Sequence, residues 1–160
     1  DRLGPLGRPE LRHREARGVT TLRPAAAADA AAIATLLTQL GYPTTADEAR
    51  ARLEALAGAA PMDRVIVAEL DGRVVAVMTL HLVPEIHRPR PNGRVTALVV
   101  DERVRGRGVG RAMMAEAERI FRADGAGILE LTSNSRRTDA HRFYERLGYV
   151  KTSFRFAKEL

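Results

Sequence analysis

The sequence predicts a single mixed α/β (α+β) domain, in which a mixed central sheet of about six or seven strands is flanked by four helices. Its 160 residues suit one domain of ordinary size. Runs of β-branched residues alternate with segments of helical periodicity, and Asp71-Gly72 joins two of these runs as a type I′ hairpin turn. A glycine-rich stretch separates an apolar run from an amphipathic segment, which places a loop between a strand and a helix.

The first half of the predicted domain opens with a short strand at 19–23, which Pro24 ends. Asp29 is placed to cap the first helix or to lie in its first turn, and Gly41 closes that helix. A second helix opens at 43–45 and ends at Gly58. The hairpin strands follow at 64–70 and 73–82, and a proline-rich loop at 83–93 is expected to line a substrate cleft.

The second half continues with a strand at 94–100, the glycine loop and a helix at 109–123, which Gly125 caps. A strand at 127–132 leads to capping residues at 133–135 and to a last helix that stops at Gly148. Alternation at 149–158 predicts a final strand, so the element order is β-α-α-β-β-β-α-β-α-β. The apolar face predicted for the third helix consists of Val109, Met113, Ala117, Ile120 and Phe121, and that of the last helix of Ala140, Phe143, Tyr144 and Leu147.

Residues 1–18 show neither helical nor strand periodicity, and we expect them to form a flexible basic N-terminal arm outside the domain at 19–160. This arm is either a mis-assigned start of the chain or a contact for nucleic acid or a second subunit. Cysteine is absent, which excludes disulfides, thiolate metal sites and a cysteine nucleophile, and we expect no metal. The sequence has no apolar run of membrane-spanning length and no signal-peptide core, so we expect a cytoplasmic protein without a membrane partner.

The formal charge of +6 raises the question of a nucleic-acid partner. Aromatic residues make up only 4% of the chain and tryptophan is absent, so a base-stacking surface is poorly supported. A basic surface facing one polyanionic cofactor explains the charge equally well.

The glycine loop is the strongest functional signal, because a helix N-terminus with nearby glycines binds phosphate through main-chain N–H groups. It is not a Walker loop, since Arg111-Ala112 follows Gly110 where that motif has lysine and serine or threonine. It is not a dinucleotide fingerprint either, because Gly106, Gly108 and Gly110 alternate and the third glycine comes one residue too early.

Three motifs at the proper separations resemble the GCN5-related N-acetyltransferase (GNAT) superfamily. Arg105-Gly106-Arg107-Gly108-Val109-Gly110 resembles its R/Q-x-x-G-x-G/A signature, preceded by an apolar strand. Thr21-Leu22-Arg23-Pro24 with Asp29 resembles the opening strand and helix. The stretch 140–149, AHRFYERLGY, resembles the closing A-x-x-F/L-Y-x-x-x-G-F/Y helix.

This resemblance implies transfer of an acetyl group from the cosubstrate acetyl-CoA to an amine in a ternary complex, without a covalent acyl-enzyme. It implies that backbone groups of Leu98, Val99 and Val100 bind pantetheine beside a neighbouring strand splayed away near 129–131, and that the N–H of Val99 or Leu98 holds the oxyanion. The residues it implies for the pyrophosphate are Arg105, Gly106, Arg107, Gly108, Val109, Gly110 and Arg111.

Tyr144 matches the tyrosine that protonates the leaving thiolate in this family; the alternative is a core aromatic residue beside Phe143. Relatives often carry an asparagine three residues before the position of Ala140, where this chain has Arg137. Asn134 is a candidate for that coenzyme contact, and a helix cap is the competing interpretation.

The general base is unassigned, because the strand at 94–100 lacks the glutamate that many relatives have. The remaining candidates are Glu69, His81, Glu85, His87, Asp101 and Glu102. The expected acceptor is a small-molecule amine, with a peptide or protein amine, or an acyl-CoA-binding module without turnover, as alternatives. A homodimer stays open, and a nucleic-acid-binding domain is the remaining hypothesis.

Overall fold

The computed structural model describes residues 20–160, so the predicted arm and Val19 lie outside the described part. Within residues 20–160 one sheet of five strands is covered by four α-helices. The strands are β1 (Thr20–Pro24), β2 (Asp63–Leu70), β3 (Arg73–Val83), β4 (Asn92–Val100) and β5 (Ile128–Leu131). The helices are α1 (Ala30–Leu40), α2 (Ala46–Gly58), α3 (Val109–Ala123) and α4 (Thr138–Arg146). The mixed fold is confirmed, with fewer strands than expected.

The sheet follows chain order, β1-β2-β3-β4-β5. The first four strands pair antiparallel, whereas β4 and β5 pair parallel across the α3 crossover. The β2–β3 turn confirms the hairpin prediction, because Asp71 and Gly72 have φ of 52° and 74°, as a type I′ turn requires.

Helices cover both faces of the sheet, and each face has its own apolar core. On one face α1 and α2 pack over Val67, Val77 and Val99. On the other, α3 packs over Met78, Leu80 and Val95 through Val109, Met113, Ala117, Ile120 and Phe121, the face predicted from its periodicity. A helix of this amphipathic kind forms because burial of that stripe stabilises it more than its intrinsic propensity does.

Strand β4 begins two residues earlier than predicted, because Asn92 and Gly93 pair with Ile128 and Leu129 of β5. Gly93 has no side chain at the point where the Phe121 ring of α3 crosses the strand: a Cβ there would lie 2.3 Å from the ring. Glycine at this position therefore lets α3 pack closely on β4.

Helices α1 and α2 begin with different hydrogen bonds, and Asp29 lies where the sequence predicted a cap or a first-turn acid. Thr45 accepts a hydrogen bond from the Glu48 N–H, and Glu48 accepts one from the Thr45 N–H, which makes a capping box for α2. Asp29 stands at the N-cap position of α1, but its side chain does not bond the helix amides. Instead it accepts hydrogen bonds from Arg23 and from the Ala26 N–H, which satisfies this nearly buried carboxylate.

The predicted final strand at 149–158 is wrong, since these residues form neither strand nor helix. A strand needs a partner for its ladder. Strand β5 is only four residues long and its described pairing is with β4. The alternating apolar side chains of Val150, Phe154 and Phe156 are correspondingly exposed.

Candidate active site

The chain after β4 is folded back by Asp101 before it reaches the glycine loop. This buried carboxylate accepts hydrogen bonds from the Arg103 N–H and from its guanidinium, within the tight turn Glu102–Val104. These Arg103 bonds lower the pKa of Asp101 to about 2. Asp101 is thus held as a structural anion, which removes it from the candidates for a base at neutral pH.

The glycine loop has the geometry of an anion site at a helix N-terminus. Gly106 and Gly108 have φ of 76° and 81°, the left-handed region that favours glycine, and Gly108 is the N-cap of α3. The Ala112 N–H makes the first helical bond, to the Gly108 carbonyl. The amides of the preceding turn, including those of Val109, Gly110 and Arg111, therefore have no partner within the helix. Residues 105–108 are exposed, so an anion can reach these amides.

The arginines of the loop differ in their roles. Arg103 is occupied by Asp101, and Arg105 Nε donates to the Val100 carbonyl over 3.1 Å. Arg105 therefore ties the loop to the end of β4. Arg107 and Arg111 are exposed, and they add positive charge beside the helix N-terminus.

Strands β4 and β5 separate midway along β4. Their parallel pairing runs from Asn92 with Ile128 to Val95 with Leu131 and stops there. A register shift on the β3 side at the same level leaves Thr96 as the bulged residue. Beyond it, the predicted pantetheine-binding residues 98–100 have no β5 partner. The Leu98 and Val100 side chains pack toward α3 and α4, and that of Val99 packs toward α1.

Tyr144 lies on α4, which packs against the start of α3. A Cβ at Gly110 would lie 3.2 Å from the Phe143 ring, so glycine permits this approach. The Tyr144 ring makes edge contacts with Phe143 and Tyr149, with centroids 5.1 Å and 6.1 Å away. Burial raises the pKa of the Tyr144 phenol, and the charge of Arg137 opposes this. Its hydroxyl has no hydrogen-bond partner within residues 20–160.

Asn134 follows β5, where the chain turns toward α4. Its side-chain oxygen accepts a hydrogen bond from the Arg136 N–H over 2.9 Å, and its carbonyl accepts one from the Arg137 N–H. His141 Nε2 lies 2.9 Å from the same carbonyl. In this structure the Asn134 side chain thus stabilises a turn at the start of α4.

The base candidates other than Asp101 have separate positions. Glu69 is paired with Arg23, and Glu102 is exposed next to Asp101. Glu85 accepts a hydrogen bond from the Asn92 side chain and forms an ion pair with Arg88. His87 Nε2 lies 3.5 Å from Glu85 Oε2. His81 Nδ1 contacts the Asp63 carboxylate across the β2–β3 pair. Because the Asp63 carboxylate can only accept a hydrogen bond from Nδ1–H, the neutral ring carries its lone pair on Nε2.

A polar cleft of about 460 Å³ lies beside the point where β4 and β5 separate. We use the name polar cleft for the space lined by His81, Val83, Arg94, Thr96, Thr132 and Arg155. Thr96 and Thr132 are the residues that follow the last β4–β5 pair, Val95 with Leu131. A smaller apolar cavity of about 220 Å³ lies between α1, α2 and the sheet, and its wall includes Thr79, two residues before His81 on β3.

Sequence reasoning missed most of this cleft. Of the residues that line the cleft, the sequence marks only His81 as a candidate, because Arg94, Thr96 and Thr132 stand in predicted strands and carry no motif. The threonine between Val95 and Ala97 breaks the apolar run of β4, which is the one local signal of the bulge. Arg155 comes to the cleft from the C-terminal segment that was expected to be a strand.

The acetyltransferase (GNAT) family model matches residues 30–149, from the start of α1 to the residue after Gly148. The chain belongs to the GNAT acetyltransferase family. The match confirms the resemblance carried by the glycine loop and by α4. Within residues 20–160 of this GNAT chain, no helix is long and apolar enough to cross a membrane.

Known acetyltransferases resemble the chain to different extents. Aminoalkylphosphonate N-acetyltransferase of Salmonella typhimurium is 41% identical over 90 residues, which are 56% of this chain and 58% of that protein. A crystal structure of a Trypanosoma brucei acetyltransferase is 25% identical, with a TM-score of 0.75 over 88% of this chain and 99% of its own. Glucosamine-6-phosphate N-acetyltransferase from Arabidopsis thaliana, at 22% identity, has a TM-score of 0.77 over 88% and 97% of the two chains and shares the fold.

Proposed function

We propose that this GNAT chain transfers the acetyl group of acetyl-CoA to the primary amine of a small molecule, by direct attack in a ternary complex. The observation that carries the proposal is the opening between β4 and β5. It begins after Val95 and Leu131, borders the polar cleft at Thr96 and Thr132, and continues along β4 to the glycine loop. A thioester held along β4 would therefore meet an amine held in the cleft.

The residues present fit acetyl-CoA as the donor. The amides at the start of α3 that have no helical partner, together with the charges of Arg107 and Arg111, suit a pyrophosphate. Backbone groups of 98–100 are free of β5 and suit the pantetheine arm. The Ser133 hydroxyl, one residue beyond Thr132, is buried without a partner within residues 20–160. Such a group normally acquires a hydrogen-bond partner, and a ligand in the opening would supply one.

The chemistry needs a neutral amine, a stabilised oxyanion and a proton for the leaving sulfur. In the proposed reaction the amine nitrogen bonds to the thioester carbon, and the N–H of Val99 or Leu98 stabilises the resulting oxyanion. The carbon–sulfur bond then breaks, and the Tyr144 hydroxyl donates its proton to the sulfur. The raised pKa of this phenol keeps the donor protonated at neutral pH.

His81 is the base that the arrangement supports best. Within the described residues it is the one candidate from the sequence that lines the polar cleft, whereas Glu69 and Glu85 are held in ion pairs. Asp63 orients the ring and leaves Nε2 to accept the ammonium proton. Asp63 acts through His81 and is therefore a positioning residue.

A panel of amines incubated with the protein and acetyl-CoA tests the proposal, with thiol release and product mass as readouts. We expect acetylation of small primary amines and little acetylation of peptide N-termini or lysine side chains. Coenzyme A binding without thiol release from any amine would replace this proposal by a binding module. Acetylation confined to peptides would move the acceptor to the peptide class.

A further inference from the structure

We infer that the polar cleft is the acceptor site and that it selects amines carrying an anionic group, which Arg94 and Arg155 hold. The shared chemistry is that of phosphonate, phosphate or carboxylate. The inference rests on the proposed function, because it gives a substrate class to the same reaction.

The polar cleft lies at the end of the β4–β5 pairing. Thr96 follows the last β4 residue paired with β5, and Thr132 follows the last residue of β5. Both line the cleft, so its wall reaches the place where the two strands separate. A molecule in the cleft therefore lies next to the opening assigned to the thioester.

The residues that line the polar cleft carry positive charge. Two arginines and a histidine face this space, and no carboxylate is among the cleft-lining residues of the described chain. Two acids lie nearby: Asp63 contacts His81, and Glu130 Oε1 lies 3.7 Å from Arg94 Nη1. This ion pair is longer than a hydrogen bond, so the N–H groups of the Arg94 guanidinium remain available to a ligand. Arg155 has no hydrogen bond or ion pair within residues 20–160.

Two threonine hydroxyl groups also line the polar cleft. Thr96 Oγ1 donates to the Thr79 carbonyl over 3.3 Å, and its lone pairs remain available to an ammonium group. The Thr132 hydroxyl has no partner within the described chain and can donate to an anion. The lining thus offers donors for a negative group near Arg94 and Arg155 and an acceptor near the opening.

Strand geometry limits the size of the ligand. Arg94 and Thr96 are two residues apart on β4, and Thr96 is the bulged residue, so the two positions are at most about 7 Å apart. A short aminoalkyl anion suits this separation, because the hydrogen bonds that hold its two ends cover part of the distance. The Salmonella relative is named for aminoalkylphosphonates, a class of this description.

Calorimetry on the protein saturated with coenzyme A tests the inference independently of turnover. The probes are 2-aminoethylphosphonate, O-phosphoethanolamine, 3-aminopropanoate and n-propylamine. We expect the anionic amines to bind at least about tenfold more tightly than n-propylamine, because each arginine adds charge-assisted hydrogen bonds. Comparison of the phosphonate and the phosphate ester with 3-aminopropanoate shows whether the site prefers a dianionic group or a carboxylate. Equal affinities for all four would overturn the inference.

Arginine variants locate the anion. Arg94→Gln and Arg155→Gln should each remove about tenfold of the preference for 2-aminoethylphosphonate over n-propylamine, and Arg94→Lys should retain part of it. Arg73→Gln is the matched control, because this exposed arginine lies at the hairpin end of β3. Circular dichroism verifies that each variant is folded. A preference unchanged in both glutamine variants would contradict the assignment.

Failure of the inference can be told apart from failure of the proposed function. Arginine-dependent binding of 2-aminoethylphosphonate without acetylation would support the anion site and refute acetyl transfer. Acetylation of neutral and anionic amines with equal kcat/KM would support acetyl transfer and refute the anion site.

Discussion

Tyr144 is a half-buried residue whose hydroxyl has no hydrogen-bond partner within residues 20–160, although neighbouring rings pack around it. A tyrosine that serves only the core usually finds a partner for its hydroxyl, as Tyr149 does with Glu118 over 3.1 Å. The contrast between the two tyrosines agrees with the proton-donor role predicted from the closing helix motif.

Replacement of Tyr144 by Phe should lower kcat by about a hundredfold and leave the affinity for acetyl-CoA within about twofold, because the hydroxyl acts only on the leaving group. The donor must be protonated, and burial raises the pKa of this phenol above its ordinary value of 10.0. Ionisation of Tyr144 should therefore cause no loss of turnover below about pH 10. Steady-state kinetics between pH 6 and 10 measure both effects, and Tyr149→Phe, which removes a hydroxyl that is bonded to Glu118, is the control. An unchanged kcat in Tyr144→Phe would remove this residue from catalysis.

Replacement of His81 by Gln should lower kcat/KM by about a hundredfold at neutral pH, because the amine then arrives without a base. The remaining activity should rise with pH as the free amine becomes more abundant. His87→Gln is the matched control, since His87 is exposed in the proline loop. Asp63→Asn should give a smaller loss with the same pH trend. If His87→Gln were as damaging as His81→Gln, the base would lie elsewhere.

Single residues were predictable only where a motif or a short-range pattern marks them. Tyr144 stands in a motif of ten residues, whereas the His81–Asp63 contact joins residues 18 apart through the β2–β3 register. Such a pair depends on pairing that a linear sequence does not display. The polar cleft also needs Arg155, which lies in the C-terminal segment, where no strand or helix fixes its position.

At the scale of elements, α3 and the loop before it were predictable because several signals agree. The helix has the predicted bounds, Val109 to Ala123, and its five predicted apolar positions are buried. The strand predicted at 149–158 rested on one signal, the alternation of apolar and polar residues, and the sequence did not indicate which strand it would pair with. Alternation describes two faces, but a strand also requires a neighbouring backbone to bond.

Replacement of Gly108 by Val should weaken acetyl-CoA binding by at least about tenfold. Valine strongly disfavours φ of 81°, so the N-cap must shift and the amides of the first turn lose their common direction. Isothermal titration with coenzyme A measures the loss. Gly58→Ala is the control, because Gly58 ends α2 with open space around its Cα. Full affinity in Gly108→Val would contradict the assignment of the loop to the pyrophosphate.

At the scale of the whole molecule, the sheet separates two tasks. The face under α3 and α4 carries the glycine loop and Tyr144, and the polar cleft lies on the other face beside the apolar cavity under α1 and α2. The β4–β5 pairing ends between these two regions, after Val95 and Leu131. In the proposed reaction, donor and acceptor bind on opposite sides of this opening and meet there, which is the geometry that direct transfer requires.

The pairing of Asp101 with Arg103 makes the stability of the whole domain depend on pH in the acid range. The pKa of Asp101 falls from 3.8 to about 2 on folding, so its contribution is present above about pH 4 and is lost as pH falls toward 2. We expect it to amount to about 1–2 kcal/mol, given that Arg103 is exposed to solvent. Urea unfolding between pH 2 and 5 measures it. Asp101→Asn should flatten this part of the profile, and an identical slope in the variant would refute the expectation.

A single-turnover experiment tests acetyl transfer most directly. The protein, in excess over acetyl-CoA, is mixed rapidly with 2-aminoethylphosphonate, and product, free thiol and intact protein mass are followed together. We expect N-acetylated amine and thiol to appear in equal amounts at one rate, while the protein keeps its unmodified mass. Acetylated protein formed fast enough to be an intermediate, or thiol released without acetylated amine, would contradict direct acetyl transfer to the amine.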